Sequence, residues 1–257
     1  GLPVIAVPTT AGTGAEVTRN AVLASPRHQF KASLRSPFLL PKIALVDPDL
    51  TMSLPTHVTA STGMDALTQL IEPYVSNKAN PLADALCREG IPLAARALPR
   101  AYHHLEDSEA RQAMALAALL SGLALANSGL GAVHGFAAPI AGMYVVAHGD
   151  ICGRLLGPVT RQNISALQKR DPSNIRLERY LEVSRWITGD PHARLEDGLA
   201  WLDELTEELH IPRLSQIGLR PGDIPEIVQK AQNASSMKAN PLPLTEGELS
   251  EILEASL

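Results

Sequence analysis

The sequence predicts a mainly α-helical protein in which a short β-rich segment precedes the helices. Three observations support this fold class. Short apolar runs bounded by proline and other turn residues are confined to the first fifty residues. After Leu50, apolar residues recur at helical spacing to the end of the chain. At 257 residues, of which 45% are hydrophobic, the chain is long enough to bury a sizeable core.

Four strands are predicted in the opening segment. Residues 4–7 and 43–46 are short apolar runs, and we expect each to form a buried strand. Residues 21–24 and 31–34 could pair with each other, and the turn residues at 25–28 between them predict a β-hairpin. A domain seldom starts inside a sheet, so an apolar strand this close to the first residue leads us to expect a piece of a longer polypeptide.

Helical patterns fill the rest of the chain, and two of the helix starts are well marked. Asp107 precedes a predicted helix together with Glu109, so acidic side chains meet the positive end of the helix dipole. Thr245 and Glu248 have the spacing of a capping box. The predicted helices are 57–77, 81–104, 107–127, 130–145, 148–160, 174–187, 194–209, 223–233 and 246–256.

Composition and charge argue against several classes of protein. The net charge of −5, with no stripe of lysine and arginine, argues against a nucleic-acid partner. The longest apolar stretch, 113–126, is broken by Ser121 and Gly122 and is too short to span a bilayer, so we expect no membrane partner. Cys87 and Cys152 cannot form a disulfide framework, and we expect two free thiols in a reducing cytoplasm.

The first candidate functional segment is the loop at 8–18, with the sequence PTTAGTGAEVT. It follows a predicted strand, and its glycines and threonines offer backbone N–H groups and short hydroxyls that suit a phosphate or pyrophosphate. Its spacing matches neither the G-x-G-x-x-G pattern nor a Walker loop. A flexible turn between a strand and a helix is the alternative, and spacing alone favours it.

The second candidate is Asp65, which lies among apolar residues in the predicted helix 57–77. Gln69 follows four residues later, so the two side chains share one helix face and can point at one object. A carboxylate in apolar surroundings needs a partner. A metal ion meets that need, as does an arginine or a backbone cap, and this segment alone does not choose between them.

The third candidate is a pair of histidines, His134 and His148, fourteen residues apart in surroundings with few other polar groups. A helix that begins near His134 and ends near Gly142 could turn the chain so that both imidazoles point inward. Each histidine alone is compatible with an ordinary core position. Two imidazoles and the Asp65 carboxylate together approach a ligand set suited to Fe²⁺ or Zn²⁺.

Taken in order, these segments resemble the iron-containing alcohol dehydrogenase family, which is part of the dehydroquinate synthase-like group. The resemblance rests on PTTAGTGAEVT, VDPDLTMSLP, ASTGMDALT, GLGAVHG and AHG, and on the closing segment AQNASSMKANPLPLTEGEL. It covers nearly the whole chain. It implies the helical C-terminal domain of that fold at 53–257, after a remnant of the α/β dinucleotide-binding domain at 1–52.

The resemblance also implies a cofactor site and a metal site. In such enzymes two domains enclose NAD(P) and a divalent metal. The residues that match cofactor-contacting positions are Thr9, Thr10, Thr13, Asn20 and Lys31. The residues that match metal-ligand positions are Asp65, His134 and His148, with Gln69 at the fourth position.

Three departures from the family pattern bear on this expectation. Gln69 stands where the family has a histidine ligand, and an amide oxygen is a weaker ligand than imidazole for Fe²⁺ or Zn²⁺. Ala138 stands where the family has a further histidine near the reacting alcohol, so proton relay through that side chain is lost. The glycine-rich GGGS-type loop that holds the pyrophosphate would lie upstream of Gly1.

The function that the resemblance implies is an NAD(P)-dependent oxidoreductase that interconverts a small alcohol and its aldehyde or ketone. The metal would act as a Lewis acid on the alcohol oxygen, and hydride would pass to the nicotinamide. One alternative is a metal-independent enzyme that resembles maleylacetate reductase. Another is a catalytically silent fragment that folds or associates without turnover. The expected partner is a small alcohol or aldehyde, and a homodimer is a candidate assembly.

Overall fold

The strands lie near the start of the chain, as the sequence predicts. The computed structural model describes residues 2–25 and 30–257. The strands in these residues are β1 (Ile5–Ala6), β2 (Asn20–Ser25), β3 (Phe30–Arg35) and β4 (Ile43–Ala44). β2 and β3 pair antiparallel with Ala21 opposite Leu34, which confirms the predicted hairpin. Residues 26–29 of its turn lie outside the described residues.

The expectation that the other two strands are buried is wrong. β1 and β4 pair in parallel, with Ile5 opposite Ile43, but these side chains are 62% and 53% exposed. Within the described residues this sheet has only two strands, so most of its apolar surface stays in contact with solvent. Other large apolar side chains exposed in this part of the chain are Leu2, Val4, Val7, Phe38, Leu40 and Leu45.

The described chain beyond β4 is helical, which confirms the predicted fold class. The helices are α1 (Thr56–Val75), α2 (Pro81–His103), α3 (Ser108–Ser128), α4 (Ala132–Met143), α5 (His148–Arg170), α6 (Ile175–Thr188), α7 (Leu195–Glu208), α8 (Ile224–Gln232) and α9 (Glu246–Ala255). The main difference from the prediction is α5, which continues to Arg170 instead of ending at 160. Pro158 lies inside it, and burial of Ile164 and Leu167 stabilises the longer helix.

α1 forms the centre of the helical part. Its residues 63–75 are all buried, and a helix buried on every side must be surrounded by others. It packs against α2, α3 and α5. Asp65 and Glu72 are the two carboxylates buried on this helix, with 2% and 5% of their surface exposed. Both therefore need polar or cationic partners inside the protein.

The apolar stretch at 113–126 lies in α3, where Ala117, Ser121 and Ala124 are buried in the protein interior. No single helix in residues 2–25 and 30–257 is long and apolar enough to cross a membrane. α3 and α4 together would meet the length and composition criteria, but the chain bends by 101° between them.

Candidate metal centre

Three helices bring the predicted metal ligands together. Asp65 comes from α1, His134 from the first turn of α4 and His148 from the first residue of α5. Nε2 of His134 lies 3.2 Å from Oδ1 of Asp65, and Nε2 of His148 lies 3.7 Å from the same oxygen. Asp65 and His134 are buried, whereas 33% of the His148 side chain is exposed. The cluster is therefore accessible to solvent on the side of His148.

A glycine allows α5 to begin against α1. A Cβ added at Gly149 would lie only 1.9 Å from the backbone oxygen of Ser61. Any larger residue would push the first turn of α5 away from α1 and would carry His148 with it. The AHG motif thus places His148 beside Asp65 through a close backbone contact.

Cys152 is a fourth member of the cluster, and sequence reasoning missed it. It lies one turn after His148 on α5 and is fully buried. Its Sγ lies 3.7 Å from Nε2 of His134 and 3.7 Å from Nε2 of His148. One donor atom from each of Asp65, His134, His148 and Cys152 lies within 4.8 Å of the others. Both cysteines are free thiols, as expected, but the four-residue spacing from His148 was a signal that Cys152 shares its site.

Glu72 binds His134 through the ring nitrogen that does not face Asp65. Oε2 of Glu72 accepts a hydrogen bond of 2.6 Å from Nδ1 of His134. Oε1 accepts one of 2.7 Å from the backbone N–H of Val133, at the start of α4. A carboxylate bound to one ring nitrogen fixes the tautomer and leaves the other nitrogen available to a metal. Sequence reasoning missed Glu72, although its spacing of seven residues from Asp65 places both on one face of α1.

The contact between His134 and Asp65 requires a positive charge. Because Nδ1 donates to Glu72, Nε2 of a neutral imidazole presents only a lone pair to the Asp65 oxygen. Two acceptors at this distance need a proton or a cation between them. Burial would lower the pKa of His134, but the negative charges that Cys152 and Glu72 can carry raise it well above its ordinary value. A proton or a divalent metal therefore fits this position.

The pKa shifts of Asp65 and His148 also favour the charged form of each group. Burial would raise the pKa of the Asp65 carboxyl, yet His148 and His134 lower it below its ordinary value. The pKa of His148 is raised by Cys152 and, against the effect of burial, by Asp65. The chemistry of the donor set, one carboxylate, two imidazoles and one thiol, suits Zn²⁺ and Fe²⁺.

Gln69 lies on α1 one turn beyond Asp65, but its amide nitrogen contacts the 8–18 loop. Nε2 donates to the backbone oxygen of Gly12 over 3.4 Å and to Oγ of Ser121 over 3.3 Å. Oγ of Ser121 also lies 3.4 Å from the Gly12 oxygen. The loop carbonyl thus accepts from Gln69 of α1, and Ser121 of α3 lies beside it. The candidate phosphate-binding loop therefore lies one helical turn from Asp65.

Three of the four threonines in the 8–18 loop, Thr9, Thr10 and Thr13, are exposed to solvent. Thr18 is buried, and its hydroxyl donates to the backbone oxygen of Ala15. Gly14 has a φ of 58°, and its backbone oxygen would lie 2.3 Å from a Cβ added at Gly122 of α3. Glycine is required at both positions, by conformation at the first and by contact at the second. The loop packs closely against α3 while Thr9, Thr10 and Thr13 stay accessible to a ligand.

Comparison with known proteins identifies the family. Residues 59–257 match the sequence pattern described as "Fe-containing alcohol dehydrogenase family, C-terminal", and residues 1–48 match that described as "Iron-containing alcohol dehydrogenase". The chain belongs to the iron-containing alcohol dehydrogenase family. Among its relatives, the 1,3-propanediol dehydrogenase of Citrobacter freundii is 34% identical over 261 residues, which make up 97% of this chain and 64% of that protein.

Solved structures of iron-containing alcohol dehydrogenases and related reductases share the fold. The alcohol dehydrogenase from Oenococcus oeni has a TM-score of 0.89 and 33% identity, over 99% of this chain and 66% of that one. The sulfoacetaldehyde reductase from Bifidobacterium kashiwanohense, solved in complex with NAD⁺, has a TM-score of 0.85 and 30% identity, over 99% and 65%. The chain thus spans less than two thirds of the length of these proteins. The predicted domain division at 52–53 stays a prediction.

The other residues that the sequence analysis assigned to the cofactor or the site of this iron-containing alcohol dehydrogenase chain lie in β2, β3 and α4. Asn20 begins β2, where it is half-buried and pairs with Arg35. Lys31 lies in β3, and its side chain is outside the described residues. Ala138 lies one turn after His134 on α4, so that turn presents a methyl group where the family has an imidazole.

A separate cavity of about 310 Å³ lies between α5, α7 and α9. Four of the five charged side chains that line it form ion pairs, Arg154 with Glu207 and Arg161 with Asp203, and Glu251 accepts a hydrogen bond from Gln162. Because these charges are already satisfied, this cavity is a weaker candidate for a ligand site than the cluster around Asp65.

Proposed function

We propose that this chain is the metal-binding part of an NAD(P)-dependent oxidoreductase that interconverts a small alcohol and its aldehyde or ketone. The observation that carries the proposal is the convergence of Asp65, His134 and His148 from three helices, beside a loop rich in glycine and threonine. The activity belongs to the whole enzyme, of which this chain corresponds to less than two thirds by comparison with its relatives.

In this proposal Asp65, His134 and His148 hold a divalent metal, which would supply Lewis-acid chemistry towards the alcohol oxygen when bound. Glu72 keeps Nε2 of His134 directed at the centre through its hydrogen bond to Nδ1. The exposed side of His148 is the face on which an alcohol can approach, because the rest of the cluster is buried.

The cofactor would lie against the 8–18 loop, with Thr9, Thr10 and Thr13 contacting it and Asn20 and Lys31 near its phosphates and ribose. When bound, the nicotinamide would supply the hydride acceptor. The relatives support this assignment, since one is a 1,3-propanediol dehydrogenase and another was solved with NAD⁺. The hydrogen bond from Gln69 to Gly12 also supports this assignment, because that bond holds the 8–18 loop one helical turn from Asp65.

A metal-independent enzyme is a second candidate, and one observation favours it. The raised pKa of His134 allows its imidazolium form to supply the positive charge that Asp65 and Glu72 need. A protonated His134 could then stabilise developing negative charge in place of a cation. The two candidates differ in whether the chain binds a metal at all.

Calorimetric titration of the full chain with Zn²⁺, and with Fe²⁺ under anaerobic conditions, distinguishes them. We expect the parent to bind either ion and His134→Ala to lose that binding. The matched control is His192→Ala, which removes an exposed histidine from the turn between α6 and α7 and should bind like the parent. If His134→Ala binds as tightly as the parent, the metal assignment is wrong and the metal-independent enzyme becomes the better account.

Turnover is tested separately by the absorbance of reduced nicotinamide with several small alcohols, before and after chelation. Turnover that chelation abolishes and Zn²⁺ or Fe²⁺ restores supports the proposal. Turnover that survives chelation supports the metal-independent enzyme. Metal binding without turnover identifies the chain by itself as a silent fragment.

A further inference from the structure

The sulfur of Cys152 faces both histidines of the cluster, an arrangement that packing of the core alone does not require. It is fully buried on α5, one turn after His148. Its sulfur lies equally close, at 3.7 Å, to Nε2 of His134 and Nε2 of His148. These are the nitrogens that face Asp65 and would bind a metal.

Four of the six separations between donor atoms in the cluster are close to those of a tetrahedral site. Ligands about 2.0–2.1 Å from Zn²⁺, or about 2.3 Å for sulfur, are roughly 3.3–3.6 Å apart at tetrahedral angles. Oδ1 of Asp65 lies 3.2 Å from Nε2 of His134 and 3.7 Å from Nε2 of His148. The two sulfur-to-nitrogen distances of 3.7 Å are also within a few tenths of an ångström of these values, and the other two pairs of donor atoms lie within 4.8 Å.

The hydrogen bonds of Gln69 lie outside this cluster. Its amide nitrogen donates to Gly12 of the 8–18 loop and to Ser121 of α3. An amide oxygen is also a poor ligand for Zn²⁺ or Fe²⁺ beside a thiolate. Position 69 on α1 thus offers the cluster no strong donor, whereas α5 offers one at Cys152.

We propose that Cys152 supplies a thiolate as the fourth protein ligand of the metal, in a centre formed by Asp65, His134, His148 and Cys152. The inference rests on the proposed metal-dependent function. On binding, the thiol releases its proton to solvent as the bond from sulfur to metal forms. A thiolate ligand favours Zn²⁺ and Co²⁺ over hard cations such as Mg²⁺. Zinc sites can expand to five ligands during reaction, so four protein donors still admit a substrate.

Substitution with Co²⁺ tests this assignment without any activity measurement. The full chain is freed of metal by chelation and loaded with Co²⁺, and its absorbance spectrum is recorded. We expect visible d–d bands together with a near-ultraviolet charge-transfer band from thiolate to Co²⁺. Cys152→Ser should lose the charge-transfer band and bind Zn²⁺ at least about 10-fold more weakly, since even outer-shell changes cost that much. Cys87→Ser is the matched control, because Cys87 is equally buried but lies on α2, outside the cluster.

The outcomes separate the two proposals. Visible Co²⁺ bands without a thiolate band in the parent would overturn the role of Cys152 and leave the metal-dependent function standing. The same follows if Cys152→Ser keeps the band. If the parent binds no Co²⁺ or Zn²⁺, both proposals fail. Should Cys152→Ser not fold, X-ray absorption of the Zn²⁺-loaded parent decides alone, since the assignment requires one sulfur neighbour at about 2.3 Å.

Discussion

Gly122 is the position at which the smallest chemical change should displace the 8–18 loop. A Cβ at this residue of α3 would lie 2.3 Å from the backbone oxygen of Gly14. Ordinary contacts are about 3.5–4.0 Å, so the loop or the helix must move by roughly 1 Å. Alanine has a helix propensity about 1 kcal/mol better than glycine, whereas overpacking costs about 1–3 kcal/mol. For Gly122→Ala we expect a net loss of up to about 2 kcal/mol in the free energy of unfolding.

Urea denaturation followed by circular dichroism measures this loss. Gly247→Ala is the matched control, because a Cβ at that position of α9 has no atom within 4 Å. It should leave stability unchanged or raise it by up to about 1 kcal/mol. Hydrogen exchange at the amide of Val17, which donates to the Gly14 oxygen, should quicken in Gly122→Ala alone. The reasoning is refuted if Gly122→Ala gains as much stability as the control and leaves that exchange unchanged.

Three further substitutions test contacts that position the site and the last helix. Glu72→Gln keeps the shape of the side chain but removes its charge beside His134. The affinity for Zn²⁺, measured by calorimetry, should fall about 10–100-fold. An unchanged affinity would show that the charge plays no part. Asn240→Ala removes the buried acceptor of the Ala132 N–H at the start of α4 and should cost about 1–3 kcal/mol in urea denaturation, unless a water replaces it. Thr245→Ala removes the capping hydrogen bond of α9 and should cost about 1 kcal/mol, and an unchanged midpoint would contradict that role.

The helices could be predicted because their signals are local. Apolar residues recur along each helix at its own period, and the capping box of Thr245 with Glu248 is present as predicted. The burial of β1 and β4 was predicted wrongly. An apolar strand indicates a surface that needs to be covered, but it does not show that the described chain covers that surface. The far end of α5 was missed because Pro158 obscures a helix that is stabilised by burial beyond it.

The candidate site was only partly accessible to sequence reasoning. Asp65, His134 and His148 could be named because they carry unusual chemistry in apolar surroundings and match a family pattern. Glu72 and Cys152 could not be assigned with them, because their roles depend on how α4 and α5 cross α1. That crossing is set by packing between distant segments, and no local period in the sequence reports it.

The contacts of Gln69 and Ser121 with the Gly12 carbonyl have a thermodynamic consequence. A nucleotide that moves or steadies the 8–18 loop acts on α1 one turn from Asp65, so the two binding equilibria would be linked. Linkage is reciprocal: if the nucleotide multiplies the affinity for metal by some factor, the metal multiplies the affinity for nucleotide by the same factor. A dissociation constant measured for either one would then have meaning only when the concentration of the other is stated.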